Sequence, residues 1–164
     1  MLLPQRRLSH AQGYLALGMI AEAVGQLDQL SGPFAESTEV LAVRIAVLHE
    51  QEKWSDVRDL ACEWVRRDPT EPAGWISWAY ATRRADSLAA AEKILREAEQ
   101  RHPKEATIQF NLGCYACQRG DLIEARLRVD RAIALDPNTT ALAATDPDLA
   151  PLRSAERADC QPPG

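Results

Sequence analysis

Residues 106–139 read ATIQFNLGCYACQRGDLIEARLRVDRAIALDPNT, and the fold is decided there. Two amphipathic runs flank the polar break Arg119-Gly120-Asp121, and Pro137 closes the second run. Asp121 is placed to accept the orphan amides of a helix beginning Leu122-Ile123. Moving back in steps of 34 residues finds the same pattern three more times. Ala11, Ile45, Ala79 and Gly113 form one row, Ala23, Val57, Ala91 and Ala125 a second, and Leu30, Trp64, Ala98 and Ala132 a third. Larger apolar residues keep step, in the rows Ile20, Trp54, Leu88, Leu122 and Leu27, Ala61, Leu95, Val129. Pro69, Pro103 and Pro137 recur at the same interval. A fixed period of this length marks a stacked-repeat architecture.

Each copy predicts two helices around a short break, marked by Gly18, Glu52, Asp86 and Gly120 in turn. Asp86 and Ser55 are further expected N-caps. Small residues at the crossing points let helix axes approach to the ~8–10 Å of ordinary packing. Neither helix of a copy buries its apolar stripe alone, so neighbouring copies must stack.

The fourth copy, with Leu112-Gly113, Gly120, Leu122, Ala125, Ala132 and Pro137, resembles the tetratricopeptide repeat (TPR) family, as do Trp75, Trp78-Ala79, Ala91, Ala98 and Pro103 in the third. The second carries Leu41, Trp54, Trp64 and Pro69. The first departs most, with Arg7 and His10 where bulky apolar residues are usual and Ala35 in place of the proline. The resemblance implies an all-α, right-handed α-solenoid of about four helix-turn-helix repeats, near 4–37, 38–71, 72–105 and 106–139. Residues 140–157 are expected to cap it, with Asp146-Pro147 starting a helix. Leu149 and Leu152 would face inward there, and Arg153, Glu156 and Arg157 would face water. One domain, 1–157, and a flexible tail, 158–164, complete the expected organisation.

The chain of 164 residues is 46 % hydrophobic but only 5 % aromatic, which favours close helix packing over a β-sandwich. A net charge of −5 argues against nucleic-acid partners and anionic membrane surfaces. No apolar run reaches the ~18 residues of a membrane span, and MLLPQRRLSH does not read as a signal peptide. Four cysteines are too few and too uneven for a disulfide framework, so a reduced, cytoplasmic compartment is expected.

In the family the first helix of each repeat lines a concave groove. The resemblance therefore implies a peptide-binding face with His49 and Glu50 from the second repeat, Ile76, Tyr80, Arg83 and Arg84 from the third, and Phe110, Cys114 and Cys117 from the fourth. Ala42 and Ala46 would leave a shallow depression in it. An apolar side chain is expected near Tyr80 and Phe110, and an acidic group at Arg83 or Arg84. The alternatives are that Arg83 pairs with Glu50 while Arg84 is solvated, and that Tyr80 and Phe110 pack partly into the core. Some family members clamp carboxylate-ended chaperone tails with cationic groove residues; here those places hold Leu8, Gln12, Val43, Ala73 and Ser77, so that clamp is absent.

Cys114-Tyr115-Ala116-Cys117 puts two thiols on one helix face. It lies mid-helix rather than at a helix start after a strand, and lacks two further ligands for zinc. Asp56 with Asp59 and Glu97 with Glu99 read as ordinary helix surface. No nucleophile has a base nearby in sequence and no phosphate loop follows a strand. The expectation is a protein or peptide partner, no catalysis, no cofactor, no metal, and a monomer or weak homo-oligomer. The readings carried beside it are self-assembly through a solenoid end and a thiol or metal protein.

Overall fold

The computed structural model describes residues 3–159. Ten α-helices and no strands are found among them: α1 (Pro4–Ala16), α2 (Ile20–Leu27), α3 (Thr38–Glu50), α4 (Trp54–Arg67), α5 (Pro72–Ala85), α6 (Leu88–Arg101), α7 (Ala106–Gln118), α8 (Leu122–Leu135), α9 (Thr139–Thr145) and α10 (Ala150–Asp159). The first helices of the repeats start at Pro4, Thr38, Pro72 and Ala106, and the second helices at Ile20, Trp54, Leu88 and Leu122. Both series advance by the 34-residue period of the sequence. The helices group into two compact units, Met1–Ser87 and Leu88–Gly164.

The turns explain how the period is enforced. After α1, α3 and α7 the chain takes one left-handed residue: Gly18 (φ 72°), Glu52 (φ 54°) and Gly120 (φ 85°). In each case its N–H donates to the carbonyl three residues back. The next N–H reaches the carbonyl five back, as in Met19 to Tyr14, Lys53 to Leu48 and Asp121 to Ala116. This Schellman geometry satisfies helix-end carbonyls and reverses the chain into the partner helix. Asp121 caps α8, its Oδ1 accepting from Glu124 N–H at 2.9 Å. Ser55 is not a cap, because α4 already begins at Trp54 and Lys53 occupies the N-cap position without a side-chain bond. The cap of α3 is Ser37, which accepts from Val40 N–H at 3.4 Å.

In the first unit, Ala11, Ala23, Leu27, Val40 and Val47 form one apolar cluster, and Leu41, Ile45, Val57, Ala61, Trp64 and Ala81 another. In the second unit Ala91, Leu95, Ala98, Ile108, Leu112, Ala125 and Ala132 are buried. Each large aliphatic side chain hidden in this way contributes about 1.5–3 kcal/mol. Helices α7 and α8 pack tightly at Gly113, where a Cβ would lie 3.0 Å from Val129 Cγ2.

A polar layer joins α6, α7 and α8. Arg128 donates to Glu99 (2.9 Å), Glu124 (2.8 Å) and the Gln109 side-chain oxygen Oε1 (3.0 Å), while Gln109 Nε2 donates to Glu99 at 2.8 Å. Arg96 and Arg119 each bridge Glu92 and Glu124. Burial raises the Glu124 carboxyl, but hydrogen bonds from Arg128, Arg96 and Arg119 outweigh it and hold the group at about 2. Glu99 is therefore part of a half-buried network rather than ordinary surface.

Beyond α8, Asp146 caps a single 3₁₀ turn, Pro147–Leu149, with its Oδ1 accepting from Asp148 N–H at 2.8 Å. The turn and α10 pack against α7 and α8, burying Leu149 and Leu152. Arg153 does not face water as expected. Its guanidinium donates to the carbonyls of Ala143 (2.9 Å) and Asp146 (2.8 Å), tying α10 to the end of α9. Glu156 pairs with Arg126. Helix α10 runs to Asp159, two residues into the expected tail, and residues 160–164, Cys160 among them, lie outside the described residues.

Candidate functional site

The first unit brings His49, Tyr80 and Arg84 together, and adds Trp54, which sequence reasoning counted only as a repeat-row residue. His49 is at the end of α3 and Tyr80 on α5, with ring centroids 5.2 Å apart and nearly parallel. The Trp54 ring meets His49 edge-on at 5.0 Å and Tyr80 at 5.7 Å. The left-handed turn at Glu52 carries the chain from α3 into α4, and so brings Trp54 back beside His49.

Arg84 lies over both larger rings, its guanidinium carbon 4.8 Å from the Trp54 centroid and 4.4 Å from that of Tyr80. It also donates to the Tyr80 hydroxyl at 2.5 Å. Arg84 is exposed, yet its position is set by two cation–π contacts and a hydrogen bond. It is not simply solvated.

Beside this cluster is a depression of about 350 Å³. Ala42, Ala46 and His49 of α3 and Ala73 and Ser77 of α5 form its walls, and Trp64 of α4 lines it as well. Glu50 is the one acidic residue at its edge. The alanines are the cause: with methyl groups for side chains, α3 and α5 leave space that longer residues would fill. Ile76 and Arg83 are half-buried on α5.

The fourth-repeat residues behave differently. Phe110, Cys114 and Cys117 are all buried in α7 and offer almost no surface to a ligand. Towards the C-terminal end of α7 the 3₁₀ turn after α9 packs on the helix, with Gln118 donating to the Asp148 carbonyl at 2.8 Å and Cys114 beside Asp146 and Asp148. Cys62, Cys114 and Cys117 are not paired with one another in a disulfide. The Cys114 sulfur and carboxylate oxygens of Asp146 and Asp148 lie within 4.8 Å of one another. Asp146 is already used there as a helix cap, and three donors fall short of a four-coordinate zinc site.

Trp64, which lines the depression, was also not among the residues expected there. Its repeat row otherwise holds Leu30, Ala98 and Ala132, and the glycine against it, Gly74, stands where the neighbouring repeats have Val40 and Ile108. That large-for-small, small-for-large exchange was a signal available in the sequence.

No protein-family model and no curated protein matches the chain. Solved structures do. A thermophilic TPR protein of Thermus thermophilus, TTC0263, superposes with a TM-score of 0.71 at 18 % identity, covering 96 % of this chain and 84 % of that one. MamA of Desulfovibrio magneticus RS-1 gives 0.67 at 14 % identity, over 96 % and 97 %. The first TPR domain of Spaghetti (RPAP3), bound to the HSP90 peptide SRMEEVD, gives 0.62 at 21 % identity, over 77 % and 95 %. With helices recurring every 34 residues and neighbours of this kind, the chain has the tetratricopeptide-repeat fold, an all-α helical-repeat solenoid.

Proposed function

We propose that the chain is a non-catalytic interaction scaffold that holds a peptide segment of a partner protein on the α3–α5 face of its first unit. The observation that carries this reading is the depression walled by Ala42, Ala46, Ala73 and Ser77, flanked by the fixed cluster of His49, Trp54, Tyr80 and Arg84. An apolar side chain enters the depression. Arg84, held in place by Trp54 and Tyr80, presents its outward donors to an acidic group further along the peptide. Peptide binding by the RPAP3 domain supports such a use of the fold. The cationic clamp positions hold Leu8, Gln12, Val43, Ala73 and Ser77 here, so SRMEEVD itself is not an expected ligand.

The test is selection of short random peptides by display on the full chain, followed by binding to Ala46→Leu, which fills the depression. Peptides bound by wild type and lost on Ala46→Leu support the reading. Peptides bound equally by both overturn it.

One observation favours a second reading, self-pairing through the first repeat. Leu17 is 74 % exposed, and Leu3 and Met19 are also exposed there. A mass in solution that rises with concentration in wild type and stays monomeric in Leu17→Glu would support it. A monomer at every concentration would end it.

A further inference from the structure

Helix α3 has a second cavity on the face opposite the alanine depression. Ala42, Ala46 and His49 line the depression, whereas Arg44, Val47, Leu48 and Gln51 line the other cavity, about half a turn round the helix. Its volume is about 340 Å³, at the small end of what small-molecule sites enclose. It opens on the seam between the two apolar clusters of the first unit. Val24, Leu27 and Val47 belong with one cluster, Leu48 and Leu60 with the other. Leu27 and Val47 are buried, while Val24, Leu48 and Leu60 are only half-buried. Apolar side chains of α2, α3 and α4 therefore meet round one space, more surface than a single docked residue would cover.

The charged part of the lining is cationic. Arg44 and Lys53 line the cavity, and no carboxylate does. Both stand where the next two repeats have no cation: Arg44 is the equivalent of Trp78 and Leu112, and Lys53 of Ser87 and Asp121. The Arg44 guanidinium is positioned by its bond to the Leu27 carbonyl at 3.0 Å. Asp28 comes only to 3.7 Å of it and is itself largely exposed, so water weakens that pair and Arg44 can hold a second anion. Lys53 occupies the N-cap position of α4 with no side-chain cap, whereas Asp121 caps the equivalent helix. A positive charge is disfavoured at that end of a helix. Helix stability does not account for a lysine there; an anion at the cavity does.

We propose that this cavity binds a small aliphatic carboxylate, its chain lying among Val24, Leu48 and Leu60 and its carboxylate held by Lys53 and Arg44. A neutral ligand would leave both cations unused, and an anion without a chain would leave the leucines in water. A guanidinium beside an ammonium suits one carboxylate. The site does not depend on the peptide face, which uses the other side of α3.

The probe is octanoate, titrated into the full chain with isotope-labelled methyl groups. It is compared with 1-octanol, which has the chain without the charge, and acetate, which has the charge without the chain. Octanoate should give saturable shifts at the Val24, Leu48 and Leu60 methyls and none at Ala42 and Ala46, with the other two binding far more weakly. Lys53→Glu should weaken octanoate roughly tenfold. It should not lower the melting temperature, because an acid suits the start of α4 better than a lysine. Loss of ligand is thereby separated from loss of fold, and Lys53→Gln serves as the milder variant. Octanol binding as tightly as octanoate, or octanoate binding equally to wild type and both Lys53 variants, would overturn the proposal. So would shifts scattered away from the cavity, or no saturable shift at all.

Discussion

Glu52 occupies the left-handed position that glycine fills after α1 and α7. A residue with a Cβ is disfavoured there by roughly 1–2 kcal/mol, and glycine is not. Glycine also gives up more freedom on folding, which offsets part of the gain. Glu52→Gly is therefore expected to stabilise the protein by about 0.5–1 kcal/mol, raising the melting temperature by roughly 1–4 °C in a thermal scan. A fall would mean that the glutamate side chain contributes more than its backbone costs. Gly113 poses the opposite problem. A side chain there would meet Val129 Cγ2 at 3.0 Å and the Ala125 carbonyl oxygen at 3.3 Å, and the second of these belongs to helix backbone, which does not rotate away. Gly113→Val should cost about 2 kcal/mol through overpacking, seen as a lower denaturant midpoint at unchanged slope. Neither effect is visible from residue type alone. The period marks positions 52 and 113 as equivalents of Gly18 and Ala79, but only the dihedral angle and the helix separation say what each position tolerates.

At the level of the helices, the 34-residue period was legible because it acts locally: each break ends one helix and starts the next, so starts could be counted along the chain. Contacts between helices were less legible. Glu97 and Glu99 look alike in sequence, yet Glu99 joins Arg128 and Gln109 in the layer binding α6, α7 and α8. Which of two neighbouring carboxylates points inward depends on helix phase to within a fraction of a turn. The layer has a consequence for acid stability. Glu124 is held at about 2 in the folded state against an ordinary 4.5, although burial opposes the shift. Its folded-state pKa is depressed, so its contribution is present above about pH 4.5 and disappears as the pH falls towards 2. Glu99 is also lowered: burial raises its carboxyl, and hydrogen bonds from Arg128 and Gln109 more than reverse this. Its contribution has the same sign. Glu124→Gln should lower stability at neutral pH by up to about 3 kcal/mol. It should also flatten the pH dependence between roughly 5 and 2. Denaturant midpoints of both proteins across that range check this; parallel curves would show that the arginines find no net stabilisation in Glu124.

For the molecule as a whole, the repeat count and fold class could be read from a single chain, whereas the site could be read only in part. His49, Tyr80 and Arg84, expected at the candidate site from their register on first helices, do lie together in the structure. Trp54 and Trp64 were not expected there, since both belong to second helices and come beside the depression through a turn and a glycine gap that the repeat pattern does not describe. Cys114 met a different obstacle: whether a repeat face is open depends on what the chain does after the last repeat, and here Asp146 and Asp148 lie beside it. That closing segment carries the remaining prediction. The 3₁₀ turn and α10 place Leu149 (1 % exposed) and Leu152 (6 % exposed) in the interior and hold α9 through Arg153. Stacked repeats leave their last apolar face uncovered unless a terminal element covers it. Truncation after Asn138 would remove two buried leucines, worth about 3–6 kcal/mol together, and bare the surface of α7 and α8 they cover. The truncated chain should then melt well below the full chain and associate as its concentration rises, measured by thermal unfolding and light scattering. Leu149→Ala, at about 2–4 kcal/mol, should destabilise without association, because α10 still covers much of the same face. If truncation left both the melting temperature and the monomer unchanged, the apolar face of α7 and α8 would not need its cover, and the burial of Cys114 and Cys117 would no longer be evidence that this part of the groove is closed.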